Sequence, residues 1–138
     1  WVGITRMNHN NTTNIFVYGS LKEGFERGHM FKSLEPRIPG KTVQKFHMKR
    51  AAWPYIRPDS KGFPVSGEFC VVDDKNLRIL DMIEGYPNLF DKRNIHVELD
   101  TGEQVSATVY ILSDTQAEHI PEYFQEVLPN SEGVLVYT

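Results

Sequence analysis

The chain carries one cysteine, Cys70, in 138 residues. A single thiol excludes an internal disulfide and fits a reducing compartment, so a cytoplasmic protein is expected. Cys70 stands in the apolar run Phe69, Val71 and Val72, where it reads as buried filler, not a nucleophile. Long hydrophobic stretches are missing too. No run approaches the roughly 20 apolar residues of a membrane span, and no charged-then-apolar leader opens the chain. Basic charge is scarce: 15 Lys and Arg against 18 Asp and Glu leave a net charge of -3. That balance argues against nucleic acid as the main partner. The five histidines, His9, His29, His47, His96 and His119, form no i, i+4 pair and have no CxxC companion. No zinc site is expected from them. Glycines 19, 24 and 28 make neither a G-x-G-x-x-G pattern nor a loop ending in G-K-[ST]. Ser20 follows Gly19 without the second glycine of a G-x-S-x-G elbow, so a serine hydrolase is not indicated.

What remains is an ordinary globular composition, 40% hydrophobic and 24% charged, of a size that suits one domain. Residues 1–13 read as a disordered or appended lead, because the Asn- and Thr-rich run at 8–13 has no periodicity. Trp1 is not an initiator, and Met7 is a candidate start. Residues 14–138 are then one α+β domain. Strands are expected at 15–18, 41–49, 51–56, 64–72, 94–99 and 104–112, with Gly67 a candidate bulge and Asp100-Thr101-Gly102 a hairpin turn. Helices are expected at 75–84 and 115–127, with Pro121 awkward inside the latter, and a short one at 25–34. Five to six strands with a few flanking helices suggest a small, partly closed mixed β-barrel.

Two segments concentrate the chemistry. Ile15, Phe16, Val17 and Tyr18 form a β-branched and aromatic strand that stops at Gly19-Ser20-Leu21-Lys22. Glycine tolerates backbone angles that other residues resist, and such a turn can aim several backbone N–H groups at one oxygen. The second segment is Leu80-Asp81-Met82-Ile83-Glu84-Gly85-Tyr86-Pro87. Asp73 and Asp74 are N-cap candidates for a helix that Gly85 and Pro87 end. At about 100° per residue, Leu77, Leu80 and Glu84 fall within roughly 60° of one another. Glu84 thus shares an apolar face and lies in the last turn, where the helix dipole disfavours negative charge. Both effects raise a carboxyl pKa toward the range useful for proton transfer near neutral pH.

Tyr18-Gly19-Ser20-Leu21-Lys22, Trp53-Pro54-Tyr55-Ile56, Gly67-Glu68 and Leu80-Asp81-x-x-Glu84-Gly85-Tyr86-Pro87, taken in this order, resemble the gamma-glutamylcyclotransferase-like family. The resemblance runs from about Asn14 to about Leu112. It implies a barrel fold and an enzyme, needing no cofactor, that cyclises a gamma-glutamyl amine or peptide to 5-oxoproline and a free amine. By position, Glu84 would be the general acid/base. Tyr18, Gly19, Ser20 and Leu21 would receive the glutamyl part, Tyr110 would face the cavity, and Tyr86 and Phe90 would line its rim. Phe90 and Arg93 fit a Tyr-x-x-Arg element, with Phe90 in place of the tyrosine. Arg93 reads equally as a carboxylate partner or a surface charge. Phe25-Glu26-Arg27-Gly28-His29 stands where an asparagine is often found, and Ile83 replaces an aromatic residue. These departures concern the amine side of the substrate and keep a second reading open: a non-catalytic barrel that binds an amino-acid-like ligand or a protein. No motif encodes the leaving amine or the oligomeric state.

Overall fold

Alternation of apolar side chains builds the fold. The computed structural model describes residues 11–138; positions 1–10 of the expected lead lie outside it. Strand β1 covers Thr12–Val17, β2 Ile38–Thr42, β3 Phe46–Arg50, β4 Pro54–Pro58 and β5 Ser66–Asp73. Helix α1 covers Asp74–Glu84, followed by β6 at Phe90–Leu99, β7 at Gln104–Leu112, α2 at Asp114–Ala117 and β8 at Gln125–Glu126. Five strands close into a barrel in the order β1-β5-β2-β6-β7, and β4-β3-β8 form a small second sheet. The barrel closes at a short parallel seam, Ile15 with Thr108 and Phe16 with Val109. Its other pairings are antiparallel, so the barrel is mixed as expected.

Successive side chains of a strand point to opposite faces. Accordingly Phe16, Phe69, Val71, Val109 and Ile111 enter one buried core, while their neighbours Ile15, Val17, Cys70, Val72, Tyr110 and Leu112 enter another. Leu80 of α1 joins the second core with no exposed surface. Burying both faces of the wall explains why β1 and β5 read as continuous apolar runs rather than alternating ones.

Several elements differ from the sequence reading. Residues 41–49 are not one strand: Thr42 Oγ1 donates to the carbonyl of Gln44 (2.8 Å) and accepts from Val65 N (2.9 Å), making a corner between β2 and β3. Strand β6 starts at Phe90, four residues early, because the polar run from Asp91 to Asn94 hides its periodicity. Residues 25–34 hold one 3-10 turn, Gly28–Met30, in a loop of backbone turns. The long helix over 115–127 is replaced by a single turn capped by Ser113, since Pro121 restricts the residue before it and has no N–H. The chain then tucks Phe124 against Trp53, ring centroids 5.1 Å apart, before β8 pairs with β3. Gly67 makes no bulge: the β2–β5 register runs through it unbroken. A Cβ there would lie 2.3 Å from the Val17 carbonyl oxygen, so close approach of β1 requires the glycine.

Candidate active site

Helix α1 delivers Glu84 by conventional means. The Asp73 carboxylate caps its start, accepting from Asn76 N at 2.9 Å. Gly85 ends it in the left-handed conformation (φ 63°), and Tyr86 N donates back to the Asp81 carbonyl at 2.9 Å. Burial of Leu80 fixes the rotation of the helix, and Glu84, one turn on, is carried to the same side. Desolvation pushes the Glu84 carboxyl up to about 7, against the opposing pull of the Arg27 guanidinium. Among the described residues Glu84 has no hydrogen-bond or ion-pair partner. It is poised to exchange a proton near neutral pH.

The facing wall is the loop that follows β1. A tight turn brings Lys22 N to the Gly19 carbonyl (3.1 Å), and Arg27 N folds back to the Ser20 carbonyl (2.8 Å). Among the described residues nothing accepts a hydrogen bond from the N–H of Gly19, Ser20 or Leu21. Unsatisfied backbone donors beside a cavity are uncommon and suit an oxyanion. Gly19 serves close packing, not an unusual backbone angle: its φ is not positive, and an added Cβ would lie 2.7 Å from Pro54 Cγ. Arg37, mostly buried, holds the loop from behind. It donates to the carbonyls of Leu21 and Gly28, both at 2.7 Å, and to Glu68 Oε1 at 3.1 Å. Glu68 in turn accepts from Glu23 N at 2.8 Å. Farther along the loop, the Lys22 ammonium donates to the Tyr137 carbonyl at 2.7 Å, pinning the C-terminal segment.

A chain of polar contacts links loop and helix. Tyr18 Oη donates to the Tyr110 carbonyl (2.9 Å), and Tyr110 Oη donates to Asp81 Oδ1 at a short 2.5 Å. Lys92 Nζ closes on the same carboxylate at 3.0 Å and lies 4.2 Å above the Tyr86 ring. Burial raises the pKa of both Tyr18 and Tyr110; the Asp81 hydrogen bond adds to it for Tyr110, and the Glu84 charge for both. Both phenols are therefore neutral donors at neutral pH.

These groups surround one cavity of about 90 Å³. Tyr18, Gly19, Ser20, Leu21, Glu84, Phe90 and Tyr110 all line it. Tyr86 does not: its ring is exposed, and the Lys92 ammonium lies over it. Arg93 is exposed on β6 and also stays outside. Seven lining residues had no site role in the sequence reading, Arg27, Trp53, Pro54 and Leu89 among them. Of these, Trp53-Pro54 carried a signal as an aromatic-proline pair at the start of β4, and the Trp53 ring packs 5.8 Å from Phe90. Arg27 was singled out only within the segment that stands where an asparagine is often found, and its loop read as a helix. Cys70 is buried and its thiol pushed up to about 12 by desolvation, as a filler residue should be.

A carboxyl raised to about 7 that shares a cavity with backbone N–H groups lacking acceptors among the described residues is an arrangement suited to acyl transfer. Residues 15–126 match the family described as gamma-glutamyl cyclotransferase, AIG2-like. The chain is 31% identical to gamma-glutamylaminecyclotransferase of Mus musculus over 129 residues, covering 80% of this chain and 82% of that protein. It is 32% identical to the Homo sapiens protein of the same name over 95 residues, 62% of this chain and 61% of the other. In three dimensions it is similar to the crystal structure of an AIG2-like protein from Mus musculus (TM-score 0.68, 26% identity), covering 92% of this chain and 96% of that one. A solution structure from Arabidopsis thaliana, 22% identical, shares the fold with a TM-score of 0.64, over 84% of this chain and 79% of its own. The chain belongs to the gamma-glutamyl cyclotransferase, AIG2-like family and is an enzyme of the cyclotransferase type. Among the described residues no helix is long and apolar enough to cross a membrane.

Proposed function

We propose that the protein converts a gamma-glutamyl amine or peptide to 5-oxoproline and a free amine, with Glu84 as general acid/base. The observation that carries this reading is Glu84, a carboxyl raised to about 7 in the same cavity as the 19–21 loop, whose three N–H groups have no acceptor among the described residues. The substrate's free α-amine attacks its own γ-carbonyl carbon, and the Glu84 carboxylate takes the proton released as the new C–N bond forms. The carbonyl oxygen becomes an oxyanion held by the loop N–H groups. Glu84 then passes its proton to the leaving nitrogen, the old C–N bond breaks and the carbonyl re-forms. Nucleophile and electrophile share one molecule, so the protein's task is to fold the chain, hold charge and move one proton. No water or cofactor is consumed.

The test is 5-oxoproline release from dipeptides, gamma-glutamyl-lysine and gamma-glutamyl amines, with wild type beside Glu84→Gln. Release by the wild type alone supports the reading. Release by Glu84→Gln near the wild-type rate would sink the mechanism. Silence from both proteins across the panel would move the assignment to a barrel that binds an amino-acid-like ligand.

A further inference from the structure

The cavity's charges are not balanced. Glu84 is driven toward its neutral form, while Tyr18 and Tyr110 stay neutral. Asp81 and Lys92 neutralise one another behind Tyr110. That leaves Arg27 as the lining residue whose charge no carboxylate meets: no ion pair to it lies within 4.0 Å among the described residues. Its side chain is held in place, Nε donating to Ser20 Oγ at 2.9 Å. The two terminal nitrogens of the guanidinium have no acceptor among the described residues. Ser20 Oγ, accepting from Arg27, keeps its own proton to donate. A planar fork with both outer N–H edges open, flanked by a hydroxyl donor, matches a carboxylate.

We infer that Arg27 is the specificity residue of this site and clamps the α-carboxylate of the gamma-glutamyl group, with Ser20 as its second donor. The inference rests on the gamma-glutamyl reading and adds a residue and a charge requirement to it. Two observations place the α-carboxylate, not a carboxylate on the leaving amine, against Arg27. Arg27 lines the same cavity as Glu84 and the 19–21 loop, where the reacting end of the glutamyl group must sit. Arg27 also sits on the loop that supplies the backbone donors, and its charge reaches Glu84. The group Glu84 deprotonates, the α-amine, shares its carbon with the α-carboxylate. Arg93, the alternative carboxylate partner from the sequence, is out of reach on the exposed side of β6.

The experiment compares γ-glutamylmethylamide, which bears a single carboxylate, with its α-carboxamide counterpart and with γ-glutamylglycine, which bears a second carboxylate on the leaving side. Affinities are measured by calorimetry on Glu84→Gln, alone and combined with Arg27→Met or Arg27→Lys. Arg27→Met should weaken γ-glutamylmethylamide about 10- to 100-fold, the range of a lost charge-assisted pair, and change the carboxamide less than about threefold. Arg27→Lys should recover part of the loss, because charge remains without the fork. In the Glu84 enzyme the same change should appear in KM with kcat nearly kept. Equal loss for acid and amide would make Arg27 a structural residue and overturn the inference, as would loss confined to γ-glutamylglycine or no loss at all. Arg27-dependent, carboxylate-dependent binding without 5-oxoproline release by the wild type would keep the clamp and overturn the cyclisation. Release without that dependence would do the reverse.

Discussion

Helix α1 ends with two carboxylates three residues apart whose surroundings are opposite. Asp81 is fully engaged: Lys92 Nζ approaches both its oxygens, at 3.0 and 3.1 Å, and Tyr110 donates a short hydrogen bond. Glu84 lies one turn nearer the cavity with no such partner among the described residues, and its carboxyl rises to about 7. On the proposed reading, two acids on one helix take two tasks, one holding charge and position, the other exchanging a proton. The difference comes from what packs opposite each residue, not from the helix that carries them.

Changing the Glu84 side should give the largest effect. Glu84→Gln keeps the shape and removes the proton shuttle, so turnover in a 5-oxoproline assay should fall by about 10²- to 10⁴-fold. The same variant should gain stability. A carboxyl held at about 7 when folded and near 4.5 when unfolded binds its proton more tightly in the folded state. The wild type therefore loses stability as pH rises from about 4.5 to 7, up to about 3 kcal/mol in all. Denaturant unfolding at pH 8 should favour Glu84→Gln by that order, with the gap closing at pH 4. On the Asp81 side the effects shift from chemistry to structure. Asp81→Asn frees Lys92 and weakens the hold on Tyr110; unfolding experiments should show a loss of about 1–2 kcal/mol, and kcat should fall less than tenfold. The smallest change is Tyr110→Phe, which removes one hydroxyl donor and should cost about 1 kcal/mol by the same measurement. Should Asp81→Asn abolish turnover as fully as Glu84→Gln, the division of labour between the two carboxylates would collapse.

The comparison also marks what a sequence can carry. Glu84 was legible because its environment is local: the 3.6-residue repeat with Leu77 and Leu80 and the stop at Gly85 lie within one helix. The β1 turn was legible for the same reason, although the need for Gly19 came from Pro54, which β4 brings back from 35 positions away. Asp81 was in the same motif, yet its role depends on Lys92 and Tyr110, placed by the β6–β7 hairpin. The barrel was expected from its strands, but the small second sheet was not, since β8 is two residues long and forms on Lys49 and Arg50. Arg27 stayed hidden because its loop is shaped by Arg37, whose contacts reach back to Leu21 and Gly28. A periodicity search over 25–34 cannot register a guanidinium arriving from the next segment.

The most direct test of the account is the ionisation of Glu84 in the resting protein, followed by the ¹³C chemical shift of its side-chain carboxyl across a pH titration. Glu84→Gln identifies the signal. The proposed role of Glu84 requires a midpoint near 7. A midpoint near 4.5, with Glu84 fully ionised at neutral pH, would contradict it.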